Sequence, residues 1–315
     1  EKRFGASMRN VTSATFMITR LLADGVRLFA TAIPLAIVLR LGGAFSGWAD
    51  LELYMLCISI IAAVTLLYTF FGGIKAVVWM DVVQMFVYLG GAGIAMIILM
   101  SKLPDGWATV SLFAEEGNKL QIFRTGFDLS FREFIAQPYT IITAIIGGAV
   151  FSLASHGTDQ LLVQRLLATG NLRSGQKALI WSGLVVMFQF ALFLVIGLML
   201  FAFYEGVSVQ GLGLANTDEI FMKFIVEQLP AGISGLIVAA LFAAAMSSLS
   251  SSLNSLASAT TYDLYKPYFG KNKSDADDLK SSRIITLIWG IILTGSAFLF
   301  AKLQLQSGQQ PTVVE

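Results

Sequence analysis

Residues 243–255 read Ala-Ala-Ala-Met-Ser-Ser-Leu-Ser-Ser-Ser-Leu-Asn-Ser, six serines and an asparagine inside a run otherwise made for hydrocarbon. A helix this apolar needs no serines to form. Ser247, Ser250, Ser251 and Asn254 follow the i, i+3, i+4, i+7 spacing and share one face; Ser248, Ser252 and Ser255 line the adjacent strip. A hydroxyl taken out of water without a partner costs about 1–3 kcal/mol. Another helix, a water-filled cavity or a small hard cation could satisfy this oxygen-rich stripe.

A second polar group is Asp81, in Gly-Gly-Ile-Lys-Ala-Val-Val-Trp-Met-Asp-Val-Val-Gln. The two glycines predict a turn and a helix starting near Ile74, which carries Asp81 roughly 10 Å into the apolar run. A carboxylate at that depth costs about 2.5–3.5 kcal/mol unless it has a partner or a cavity. It is either half of an interhelical ion pair with an arginine, or a cation ligand or proton carrier. Arg20, Asp24 and Arg27 stand at i, i+4 and i, i+3 spacings. They form a self-neutralising triad, or leave one guanidinium to hold an anionic solute by a two-pronged contact. Ser155, His156, Asp159 and Gln160 follow Gly147-Gly148 in a segment broken in character. Interrupted apolar helices with small polar residues mark solute and ion sites in transporters. The alternative is a kinked helix whose His and Asp bond to neighbouring helices.

The elements that must carry these groups follow from composition. The 315 residues are 56% hydrophobic and 13% charged, against about 25% charged in soluble domains. With a mean hydropathy of +0.74, the chain reads as an all-α, multi-pass membrane protein whose surroundings are the lipid bilayer. Its net charge of +1 is distributed by loop, and nothing points to nucleic acid. Cys57 is the single cysteine, so no intrachain disulfide can form, and it reads as a small core residue. No zinc-protease, serine-hydrolase or phosphate-loop motif occurs, and the chain is not expected to be an enzyme. Spans are expected at about 12–41, 51–71, 74–101, 135–169 (broken), 178–204, 230–263 and 281–302, in one domain. An odd number of spans puts the ends on opposite sides. Lys2, Arg3, Arg9, Lys75, Arg165, Arg173, Lys177, Lys266, Lys271, Lys273, Lys280 and Arg283 gather on one side, which makes the N-terminus cytoplasmic and the C-terminus external. Residues 102–134 form an external loop with a short amphipathic segment. The missing initiator Met and the abrupt end suggest a piece of a longer protein.

Four segments, in order, carry a resemblance: Glu1-Lys-Arg-Phe-Gly, residues 72–84, Asp159-Gln-Leu-Leu-Val-Gln-Arg, and the serine segment 243–255. Together they resemble the sodium/solute symporter family of sodium-coupled sugar, proline, pantothenate, iodide, monocarboxylate and sialic acid carriers. The resemblance implies the five-plus-five inverted-repeat fold of the leucine-transporter type, with core helices three to nine present. It implies one sodium site from the Ala244 carbonyl, Ser247 and Ser248, completed by a first core helix outside this sequence. It implies a second from Asp81, Ser247, Ser250 and Ser251. Sugar-carrying members have Tyr-Trp-Gly where this chain has Ser155-His156-Gly157. That departure argues against a glucose-like solute, and Arg20, Arg27 and His156 suit a carboxylate better. The implied activity is symport of a small organic solute with one or two Na+ ions by alternating access. The expected location is the plasma membrane, as in a bacterial inner membrane. The alternative is the membrane sensor portion of a receptor built on the same transport domain.

Overall fold

The computed structural model describes residues 5–43, 45, 47–121, 123–137, 140–214, 217, 219–270 and 274–306. Residues 1–4 of the first quoted segment, with Lys2 and Arg3, and also Lys271 and Lys273, lie outside these. In chain order the helices are α1 (Gly5–Leu41), α2 (Asp50–Lys102), α3 (Trp107–Glu116), α4 (Phe131–Ala136), α5 (Ile141–Thr158), α6 (Gln160–Leu167), α7 (Leu172–Phe203), α8 (Glu219–Gln228) and α9 (Ala231–Ala259). A π-helical turn (Thr260–Tyr265), α10 (Lys266–Phe269) and α11 (Asp275–Gln306) follow. Among the described residues, seven helical stretches are long and apolar enough to cross a bilayer: Gly5–Leu41, Asp50–Gly72, Lys75–Lys102, Phe131–Thr158, Leu172–Phe203, Ala231–Phe269 and Asp277–Gln306.

The sequence reading takes the chain as one domain; its contacts group it into two compact units, residues 1–98 with 207–315, and residues 99–206. In the first unit α1 packs on α11, α9 and α8, and α9 on α11. Leu28, Ala32, Ile33 and Leu35 of α1 share one buried core with Leu53, Cys57, Ile58 and Ile61 of α2, Leu253 and Leu256 of α9, and Leu293 and Ala297 of α11. Small residues let these helices approach closely. A Cβ on Gly25 of α1 would lie 2.4 Å from Ser296 Oγ of α11. In the second unit α3 packs on α7, where Lys119 sits over the Phe201 ring at 5.2 Å. Ile180, Trp181, Leu184, Met187, Phe188 and Leu194 of α7 are exposed, as suits a helix facing hydrocarbon.

Two local features differ from the sequence reading. The expected turn at Gly72-Gly73 is not a break in helical hydrogen bonding, because α2 runs on without interruption. It is a sharp bend: a Cβ on Gly72 would lie 2.1 Å from the Ala76 Cβ, where helical neighbours four apart stand about 5–6 Å apart. The side-chain bonds agree: in a straight helix Asp81 would be about 20 Å further along than Tyr68, yet Tyr68 bonds to the Met246 carbonyl and Asp81 to the adjacent Ser247. The second difference is length. α1, α7 and α11 extend several residues past the expected 12–41, 178–204 and 281–302 at their N-terminal ends, because polar residues there end the hydropathy signal without ending the helix. The interruption expected between 135 and 169 is at Asp159, which adopts φ −72°, ψ 118° between α5 and α6 and accepts a cap bond from Leu161 N–H at 2.9 Å.

Candidate ion and solute site

The bend in α2 and the middle of α9 bring the candidate ion ligands together inside the first unit. Ser247 Oγ donates to Asp81 Oδ1 at 2.7 Å. One turn on, Ser250 Oγ and Ser251 Oγ donate to the Ser247 carbonyl at 3.0 and 2.8 Å. Ser250 is fully buried, and Asp81, Ser247 and Ser251 are half-buried. The carboxylate expected to need a partner therefore has one from the serine stripe. Each hydroxyl spends its proton locally and keeps oxygen lone pairs. A carboxylate with three hydroxyl oxygens suits a hard monovalent cation. Among the described residues no group of three or more His, Cys, Asp and Glu gathers, so the donors here are not those of a transition-metal site.

The other implied set divides. Ala244 and Ser248, four residues apart, share a face of α9; Ala244 is exposed and Ser248 half-buried. Ser247 turns its hydroxyl to Asp81. Ser248 lines a cleft with Asp24, Arg27, Leu28, Thr31, Ala245 and Leu249. Ser252 and Ser255, on the strip away from Asp81, are buried.

The triad of α1 is self-paired. Asp24 Oδ1 receives Arg27 Nη1 at 3.0 Å and lies 3.8 Å from Arg20 Nη1. Asp24 is buried and the Arg20 side chain nearly so, whereas Arg27 is 49% exposed. Both sequence alternatives are thus compatible in one arrangement, because Arg27 keeps donors beyond those directed at Asp24 and borders the Ser248 cleft.

The remaining solute candidates, Ser155, His156, Asp159 and Gln160, belong to the second unit. His156 Nδ1 lies 3.0 Å from Ser155 Oγ and 3.2 Å from the Ser152 carbonyl, at the last turn of α5. Asp159 caps α6, and Gln160 is exposed.

Sequence reasoning passed over Tyr68, whose hydroxyl donates to the Met246 carbonyl at 3.0 Å, and Gln84, which is buried. The signal was present: Gln84 stands three residues after Asp81 on the same helical face. It also passed over a polar seam beyond the stripe, where Ser13 donates to Asp263 at 2.6 Å and Trp289 Nε1 donates to Thr260 Oγ1 at 2.8 Å.

The sodium:solute symporter family model matches residues 10–306. The sodium/sialic acid symporter NanT of Aliivibrio fischeri is 31% identical over 293 residues, 93% of this chain and 54% of the relative. The sodium-dependent multivitamin transporter of Oryctolagus cuniculus is 31% identical over 311 residues, 96% of this chain and 45% of the relative. A solved substrate-bound, outward-open structure of a Na+-coupled sialic acid symporter superposes with a TM-score of 0.75 at 28% identity, covering 98% of this chain and 61% of that one. The chain spans about half the length of the curated relatives it matches. These proteins are carriers and not enzymes, and they lend no support to a receptor. With the all-helical fold, the seven apolar stretches and the serine–aspartate cluster, they identify the chain as a member of the sodium:solute symporter family.

Proposed function

We propose that the protein is a secondary active symporter that couples inward sodium movement to uptake of a small organic solute by alternating access. The observation that carries this is Ser247 bonded to Asp81 with Ser250 and Ser251 one turn on, in a chain of this family. Sodium site two is Asp81, Ser247, Ser250 and Ser251. Sodium site one is the Ala244 carbonyl, Ser247 and Ser248, with its remaining ligands from outside this sequence. One carboxylate serves two cations, so carbonyls and helix ends share the charge. The loop charges favour a cytoplasmic N-terminus and an external C-terminus for this chain, in a plasma membrane such as a bacterial inner membrane. The test is uptake of labelled solutes into proteoliposomes holding the full-length protein. Uptake is expected above background with sodium outside and at background with choline; equal uptake in both media sinks the proposal.

The solute is an anion held by Arg27, with Arg20, Ser155, His156, Asp159 and Gln160 as further candidates. The support is the half-exposed guanidinium of Arg27 beside the Ser248 cleft and a relative named for sialic acid. A charge-assisted contact contributes about 1.5–3 kcal/mol, so Arg27→Ala is expected to raise the solute KM by about 10–100-fold. An unchanged KM for the best-transported solute would remove Arg27 from the site.

A further inference from the structure

The second arm of α2, Lys75–Lys102, meets α9 at two places. One is Asp81, whose carboxylate accepts from Ser247. The other is Gly91, which is buried. A Cβ on Gly91 would stand 3.2 Å from the Ala240 Cβ, 3.7 Å from Ile237 Cγ1 and 3.9 Å from Ile237 Cα. The two backbones come together there, the close approach that small residues permit between helices in hydrocarbon. Ala240 and Ile237 are themselves buried, so neither has open space to retreat into. Gly90 and Gly93 lie on the same stretch of α2, yet a Cβ on either would meet nothing within 4 Å. Gly91 is thus the one of the three that the contact requires to be small. The two places are linked along both helices. Ala240 stands seven residues before Ser247, two turns away on one face of α9. Gly91 stands ten residues after Asp81, about 15 Å along the same arm.

We propose that the approach of Gly91 to Ala240 sets how far the second arm of α2 stands from α9 and so places Asp81 against Ser247, which makes Gly91 a positioning residue of the ion site. This rests on the second sodium site proposed above. The arm's other support is the bend at Gly72. Gly91 is about 28 Å from the bend along the helix and Asp81 about 14 Å, so a push at Gly91 moves Asp81 by about half as much. A methyl at Gly91 asks for a few tenths of an ångström from Ala240. The branches of a valine reach past that methyl into Ile237 and force a larger shift.

The test is sodium activation of uptake by the full-length protein, measured with the amount of protein in the membrane. Gly91→Ala is expected to raise the half-activating sodium concentration about threefold and Gly91→Val about tenfold or more, since a misplacement of about 1 Å can cost about 100-fold in a built site. The change is expected in that concentration more than in the maximal rate at saturating sodium. Ala240→Gly removes the atom at 3.2 Å, so in the Gly91→Ala background it is expected to return sodium activation to the wild-type value. Gly91 variants that lose membrane protein or maximal rate while the half-activating concentration stays at wild type mark a packing role alone and overturn the proposal. A Gly91→Ala defect that Ala240→Gly leaves uncorrected overturns it too. Asp81→Asn separates the proposal from the site: if it shifts sodium activation and the Gly91 variants do not, the second site stands without Gly91; if none of them does, both fall. Should Gly91→Val not reach the membrane, Gly91→Ala with and without Ala240→Gly decides.

Discussion

Ser247→Ala in the full-length protein is expected to reduce sodium-driven uptake by about 100-fold or more, the largest effect of any single hydroxyl in the serine stripe. The size follows from position. In the proposed assignment Ser247 is the only side chain shared by the two sodium sites, and each charge-assisted contact it would make is worth about 1.5–3 kcal/mol, so two together multiply to about two or more decades. Its hydroxyl is also the donor on Asp81 Oδ1. Removing it leaves a carboxylate in an apolar segment without that donor. Its carbonyl survives the substitution, and the bonds it receives from Ser250 and Ser251 hold the helix turn in shape. The loss should therefore appear in transport and not in the amount of protein in the membrane. Uptake and surface quantity measured together check this. Uptake within twofold of wild type, with normal surface protein, would contradict the shared placement. Ser248→Ala is expected to follow it closely.

Asp81→Asn is expected to lower the Hill coefficient for sodium activation from about two to about one and to raise the half-activating concentration by about 10–100-fold, the scale of one charged contact. Asparagine keeps the size and one acceptor oxygen for Ser247, so packing is little disturbed and the change is one of charge. Sodium titrations of solute-driven current read both quantities. A coefficient that stays at about two would remove Asp81 from the second site. The pair of variants separates the sites: Ser247→Ala weakens both, whereas Asp81→Asn spares the first.

What could be read in advance was what water makes costly to bury. Hydroxyls and a carboxylate in hydrocarbon demand partners, so the stripe and Asp81 were visible from residue type and helical spacing alone. Spacing names a face and not what it meets. That Ser247 in particular meets Asp81, 166 positions away, comes from the packing of α2 on α9. Tyr68 stayed hidden for a different reason. Tyrosine is at home near membrane surfaces with its ring in apolar surroundings, so nothing in its type demands an explanation, and its partner is a backbone carbonyl. Gly72-Gly73 showed that the chain changes direction but not how: the turn is a bend within continuous helix. The break at Asp159 was legible as glycine and polar residues in an apolar run, and its mechanism is the cap on α6. Helix ends were under-read because hydropathy senses the hydrocarbon layer, while helical hydrogen bonds continue into the polar margin.

The triad of α1 has a thermodynamic consequence. Arg20, Asp24 and Arg27 sum to one positive charge, and Asp24 and Arg27 border the same cleft as Ser248. In the proposed sites, a cation approaching Ser248 would be repelled by that surplus and an anion seated on Arg27 would cancel it, so each would lower the free energy of the other by an equal amount. Ion and solute of opposite charge would thus be made mutually dependent by one uneven row of side chains, before any helix has moved.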